Sequence, residues 1–154
     1  MKEIKEALLR LDALANKFEA KNTQVSEASV GWHIAHGHLV VQSIVAALGA
    51  SNPADYKWAF NIKRMGVLLV GALPRGKAKA PARVQPLTEI TPEILAAASE
   101  KTAAALQRLT ELPAKAHFKH PFFGVLHKNH SLRTMTIHTN HHIRIINDIL
   151  KANA

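Results

Sequence analysis

Ten of the 154 residues are histidine and none is cysteine, so polar chemistry in this chain rests on imidazoles and not on thiols. The histidines are unevenly placed: His33, His36 and His38 stand together, and seven more fall between His117 and His142. His138 and His142 are four residues apart. On a helix that spacing turns the two side chains by only about 40° relative to each other, so both imidazoles can converge on one point. H-x-x-x-H is thus the spacing by which one helix offers two nitrogens to one metal ion. The pair shares a stripe with Met135, Ile145 and Ile149, which points it into the protein. A buried neutral imidazole needs a partner for its polar nitrogens, and a metal ion is one such partner.

The same argument reaches His36, one turn after Trp32 and one turn before Val40. Three inward histidines from two helices would make an N3 site with a coordination position left for water or substrate, the arrangement of a catalytic metal site. The competing reading is a set of core histidines bonded to carbonyls, and spacing alone leaves both open. His33 and His141 each lie about 60° around the helix from a candidate ligand, as neighbours, with His141 also a replacement ligand. His38 falls on the opposite face and is expected in solvent. His117, His120, His127 and His130 lie in a stretch read as irregular, where surface positions are expected.

Five helical segments position these residues. Ile4, Leu8, Leu11, Ala15 and Phe18 share one face and predict a helix over 2–20. A second runs over 30–48, with Trp32, His36, Leu39 or Val40, Ser43 and Ala47 inward and Gly49 as its stop. Asn52, Pro53 and Asp55 open a third over 53–73. Thr91, Pro92 and Glu93 open a fourth over 92–111, burying Ile94, Leu95, Ala98, Ala105, Leu106 and Leu109. Ser131 caps the last, over 131–151. No strand-like alternation is sustained. The expected fold is a single all-α domain over 1–154: an antiparallel bundle of four long helices with residues 53–73 as an extra helix in a long crossover.

Charge and length narrow the function. Twenty Lys and Arg against eleven Asp and Glu leave a net charge of +9, enough to attract polyanions without specificity. The loop 74–86 carries Arg75, Lys77, Lys79 and Arg83, of which Arg75 and Lys77 are candidates for anion binding and otherwise a solvated loop. The first residues include Glu3 and Glu6 and do not form the apolar core of a signal peptide, which gives a cytoplasmic expectation. The longest apolar run, Val67 to Leu73, is too short to span a membrane, so a water-soluble protein is expected.

GWHIAH at 31–36, PRG at 74–76, HPFFG at 120–124 and HTNHH at 138–142 together resemble the DinB/YfiT-like superfamily, in particular its DUF1569 branch. The chain departs from that pattern in having Ile143, Arg144 and Ile145, with no glutamine, after the last histidine, and no tryptophan between Ser131 and Ile137. The resemblance implies a four-helix bundle of up-down-down-up topology. It also implies a divalent metal on three histidines, one from the second helix and two from the last, which fall on His36, His138 and His142. Trp32 and His120, within these motifs, then join His33 and His141 beside the site. Characterised relatives include thiol-dependent transferases and isomerases, so the implied activity is that of a metal-dependent hydrolase or thiol transferase.

The first reading is therefore an enzyme in which zinc, nickel, iron or manganese activates water or a low-molecular-weight thiol for attack on a small-molecule substrate. The absence of H-E-x-x-H argues against a protease. A second reading is a basic helical module for nucleic acid, for which Tyr56 and Trp58 beside Lys57 are the only interleaved aromatics, and they fit as helix packing. A third is an inactive bundle acting by association, since bundle faces commonly pair; a homodimer is expected on the same ground.

Overall fold

The computed structural model describes residues 1–76, 82–86 and 89–154. Among these the chain is mostly helical with one small sheet: α1 (Lys2–Asp12), α2 (Val30–Gly49), α3 (Ile62–Val70), α4 (Pro92–Glu111), the strands β1 (His117–His120) and β2 (Gly124–His127), and α5 (Lys128–Ala152). The arrangement is compatible with a helical bundle. Helix α2 packs against α4 and α5, and α1 packs against α5. Ile4, Leu11, Val41, Leu48, Leu109, Met135 and Ile149 meet in the core between them.

α1 is shorter than the expected 2–20. The chain leaves the helix after Asp12 and makes a 3-10 turn at Ala15–Lys17. Phe18 and Ala20 then offer their carbonyls to Gly31 N and Val30 N, each at 2.8 Å. Those carbonyls satisfy N–H groups that the first turn of α2 would otherwise leave orphaned. A Cβ at Gly31 would stand 2.8 Å from Ile90 Cγ2 and 3.0 Å from the Phe18 carbonyl, so only glycine admits this approach.

α2 keeps its expected bounds within a residue, with Ser29 Oγ accepting from Trp32 N at 3.2 Å. Its burial is not the single stripe expected. Val30, Ile34, Val41, Val45 and Leu48 are buried along with His36, whereas Trp32, Val40, Ser43 and Ala47 are only partly covered. Neighbours on more than one side bury the helix. They also account for His38, which is fully buried instead of solvated. Its Nε2 is 2.7 Å from Asp12 Oδ1 and its Nδ1 is 3.0 Å from Thr102 Oγ1, while Ser99 Oγ donates to Asp12 Oδ2 at 2.7 Å. This polar network ties α1, α2 and α4 together.

The expected helix over 53–73 is broken. Asn52 caps one 3-10 turn at Pro53–Asp55, residues 56–61 are non-helical, and Asn61 Oδ1 accepts from Arg64 N at 2.8 Å to start α3. Tyr56 and Trp58 are consequently not helix-packing residues: the Tyr56 ring lies against His117 and His127, and Trp58 is 62% exposed. Phe60, Ile62, Met65, Leu69 and Val70 are exposed with it. α4 keeps the expected bounds, but Ile94 stands outside the core and Ala98 is only partly covered.

Residues 117–127 form an antiparallel hairpin where no strand was expected, pairing His117 with His127 and His120 with Gly124. Four-residue strands are too short to display alternation in sequence. Gly124 takes φ 66 at the start of β2, a left-handed conformation that glycine adopts without strain. His117, His120 and His127 are strand residues and His130 is helical, all partly buried. α5 begins three residues before the expected Ser131: His127 Nδ1 accepts from Asn129 N at 3.2 Å, and Ser131 is buried inside the helix, donating to the His127 carbonyl at 3.0 Å. Among the described residues no helix is long and apolar enough to cross a membrane.

Candidate metal centre

α2 and α5 pack side by side and bring His36, His138 and His142 together, each with a ring nitrogen within 4.8 Å of those of the others. The His36 ring centroid lies 5.1 Å from that of His138 and 4.8 Å from that of His142. His36 and His142 are buried and His138 is partly so. His138 Nε2 and His142 Nε2 are 3.3 Å apart. Two nitrogens bound to one tetrahedral metal at about 2.0–2.1 Å stand about 3.3–3.4 Å apart, so the spacing fits shared ligation.

The surrounding hydrogen bonds favour the ligating tautomers. His36 Nδ1 is 2.6 Å from the Val84 carbonyl, which can only accept, so Nδ1 carries the hydrogen and Nε2 the lone pair. The ring also stacks on Trp32 at 4.8 Å and 15°. His142 Nδ1 is 2.9 Å from His33 Nδ1, and His33 Nε2 is 3.0 Å from Ser26 Oγ. With the lone pair of His142 on Nε2, its Nδ1 donates to His33, and His33 in turn donates to Ser26. Metal-binding histidines are oriented by such bonds from their second nitrogen. His138 Nδ1 is buried with no partner among the described residues.

The remaining expected residues fall around this centre. His33 and Trp32 touch the ligands, and the ring of His141 meets that of His142 edge-on at 5.4 Å. His120 stacks on Phe123 at 4.5 Å, and its Nδ1 accepts from the backbone N–H groups of Phe122 and Phe123. His120 is close enough for its charge to help lower the pKa of His138. Arg75 forms an ion pair with Asp148 on α5; Lys77 and Lys79 lie outside the described residues. Sequence reasoning missed Ser26 and the Val84 carbonyl. A serine in a polar connection and a backbone oxygen carry no signal of the imidazole that will meet them.

Burial dominates the electrostatics of the cluster. It pushes His33 down to about 4 and His138 to about 3, it places His142 well below its ordinary value, and it lowers His36 and His141, so the imidazoles are neutral at pH 7 with lone pairs to offer. The unfolded chain therefore takes up more protons than the folded one below pH 6.5. Stability is fully present above that value and is lost as the pH falls toward 4 and then 3. For His33 the drop from 6.5 to about 4 corresponds to roughly 3 kcal/mol. The thermal midpoint of metal-free protein, measured from pH 7.5 to pH 4, is expected to decline progressively below about pH 6.5. A midpoint independent of pH across that window would contradict the buried neutral cluster.

No family model matches the chain, and neither a curated protein nor a solved structure matches it.

Proposed function

We propose that the chain is a metal-dependent enzyme of the hydrolase or thiol-transferase type, built as a DinB-like bundle of up-down-down-up topology with residues 53–73 in the crossover. One observation carries this reading: three imidazoles from two helices each bring a ring nitrogen within 4.8 Å of those of the others, and two of the rings have their outer nitrogens engaged. His36, His138 and His142 would hold the ion through nitrogen, a donor set that suits zinc and also accepts nickel, iron or manganese. When bound, a divalent cation supplies the acidity that makes a water or a thiol nucleophilic near neutral pH.

The chain's own residues do the rest. Val84 and Trp32 fix the plane of His36, and Ser26 and His33 fix that of His142, so the ligands need little reorganisation. Burial keeps the imidazoles unprotonated, so protons compete weakly for the lone pairs at neutral pH. With no cysteine in the chain, a thiol taking part in the reaction comes from a substrate or cosubstrate.

Untagged protein stripped with chelator and titrated with Zn²⁺, Ni²⁺, Mn²⁺ and Fe²⁺ is expected to take up one ion per chain of at least one of them. Turnover of activated esters, or of an electrophile with a low-molecular-weight thiol, is expected only in the loaded form. Substoichiometric uptake of all four ions, or equal turnover without metal, would overturn the proposal.

A further inference from the structure

The face of α5 that carries His138 continues toward the N-terminus through Thr134 and then His130, each one turn further on. Residues at this spacing lie on one side of a helix, about 5–6 Å apart. Thr134 Oγ1 and His130 Nδ1 are buried with no hydrogen-bond partner among the described residues. A buried polar atom left unpaired costs about 1–3 kcal/mol, so two on one face call for a polar partner.

Arg64 of α3 stands next to this row. Arg133 donates from Nε and Nη2 to the Leu68 carbonyl at 3.1 and 3.0 Å, which tethers α3 to the first half of α5. Arg64 is one turn before Leu68 and close enough for its charge to act on both His127 and His130. It is 1% exposed. Its Nη1 donates to the Val125 carbonyl at 2.7 Å and, at 3.5 Å, to that of Phe123, and its Nη2 donates to that of Ala59, but Nε has no partner among the described residues. Nor does it have a counter-charge: the ion pairs of acidic residues among the described residues are those of Glu6 with Lys2, Asp12 with His38 and Asp148 with Arg75. A buried guanidinium facing only carbonyls retains an uncompensated charge, which an anion beside Nε would neutralise.

We infer that Arg64 Nε, His130 Nδ1 and Thr134 Oγ1 form a subsite for an oxyanion, the carboxylate or phosphate group of the molecule on which the metal centre acts. The arginine N–H is a fixed charged donor, the threonine hydroxyl rotates to donate, and a neutral imidazole can carry its hydrogen on Nδ1. One and two helical turns from His138 correspond to about 6 and 12 Å along α5, so the substrate is an anionic small molecule whose charged group lies about that far from its reacting atom. As a substrate subsite this rests on the metal-centre reading; as an oxyanion site it does not.

The test uses metal-stripped full-length protein, with sodium acetate and inorganic phosphate as probes and sodium chloride at matched ionic strength as control. At least one of the two probes is expected to bind saturably by calorimetry and to raise the thermal midpoint beyond chloride; which one does so distinguishes carboxylate from phosphate. Thr134→Val preserves shape and removes a hydroxyl that bonds nothing, so it is expected to fold, and binding is expected to fall at least tenfold in it and in His130→Phe. Absence of binding by the unaltered protein beyond the chloride control, or unchanged affinity in either variant, would overturn the proposal and leave water as the occupant. His142→Ala is expected to lose metal and keep the oxyanion, so a protein that binds oxyanion but no metal fails the metal reading alone, and the reverse result fails this one alone.

Discussion

Replacing His142 by alanine is expected to weaken metal binding by at least a hundredfold, read by competition with a chromogenic chelator. The side chain supplies one of three nitrogens, and its Nε2 stands 3.3 Å from that of His138. Loss of a group that merely orients a ligand already costs about ten- to a hundredfold, so loss of a ligand must cost more. The same change strands His33, whose Nδ1 lies 2.9 Å from His142 Nδ1. His138→Ala is expected to be as damaging. His33→Phe should fall in the ten- to hundredfold range, because it removes the support and leaves the ligand. His141→Ala serves as the contrast: that ring touches His142 only edge-on, and metal affinity should hold. Unchanged metal content in His138→Ala and His142→Ala would end the metal-centre reading.

Arg64→Met is expected to destabilise the fold by about 3–5 kcal/mol, because carbonyl acceptors that it satisfies lose their donor at about 1–3 kcal/mol each. The guanidinium joins the lead-in to α3 with the hairpin by donating to the carbonyls of Ala59, Phe123 and Val125. Methionine fills much of the volume but leaves those carbonyls without the donors that the guanidinium supplied. In a chain of this size the loss corresponds to a fall of roughly 10 °C in thermal midpoint. Arg64→Lys is not expected to rescue it, since a compact ammonium cannot reproduce the flat, many-donor fork. Hydrogen exchange should localise the damage to α3 and the hairpin and spare α2 and α4. A variant within 1 kcal/mol of the parent protein would show that the carbonyl contacts are not what holds this region.

The parts of the fold legible in sequence were those whose cause is local. Thr91, Pro92 and Glu93 open α4 because a cap, a fixed φ and an acid near the helix dipole act within one turn. The apolar period of α1 suits a helix to residue 20, but the chain leaves it after Asp12, turns at Ala15–Lys17 and docks Phe18 and Ala20 on the start of α2, a contact between segments that the period does not report. The hairpin was invisible because its strands are four residues long, and Pro121 and Gly124 read as well for a loop as for a turn. Nothing in the sequence sets Arg64 apart from Lys63 beside it, and only the hairpin's carbonyls make it a core residue.

The candidate centre divides the same way. With no cysteine in the chain, a metal held by side chains here would be bound through nitrogen and oxygen, and His138 and His142 point together because a helix turns 100° per residue wherever it occurs. Packing is what brings His36 to them, lets Val84 and His33 turn the rings, and gives His38, two residues from His36, to Asp12 and Thr102 instead. Those contacts join residues far apart in the chain. They depend on how α1, α4 and α5 close around α2, a property of packed side chains that local spacing does not encode.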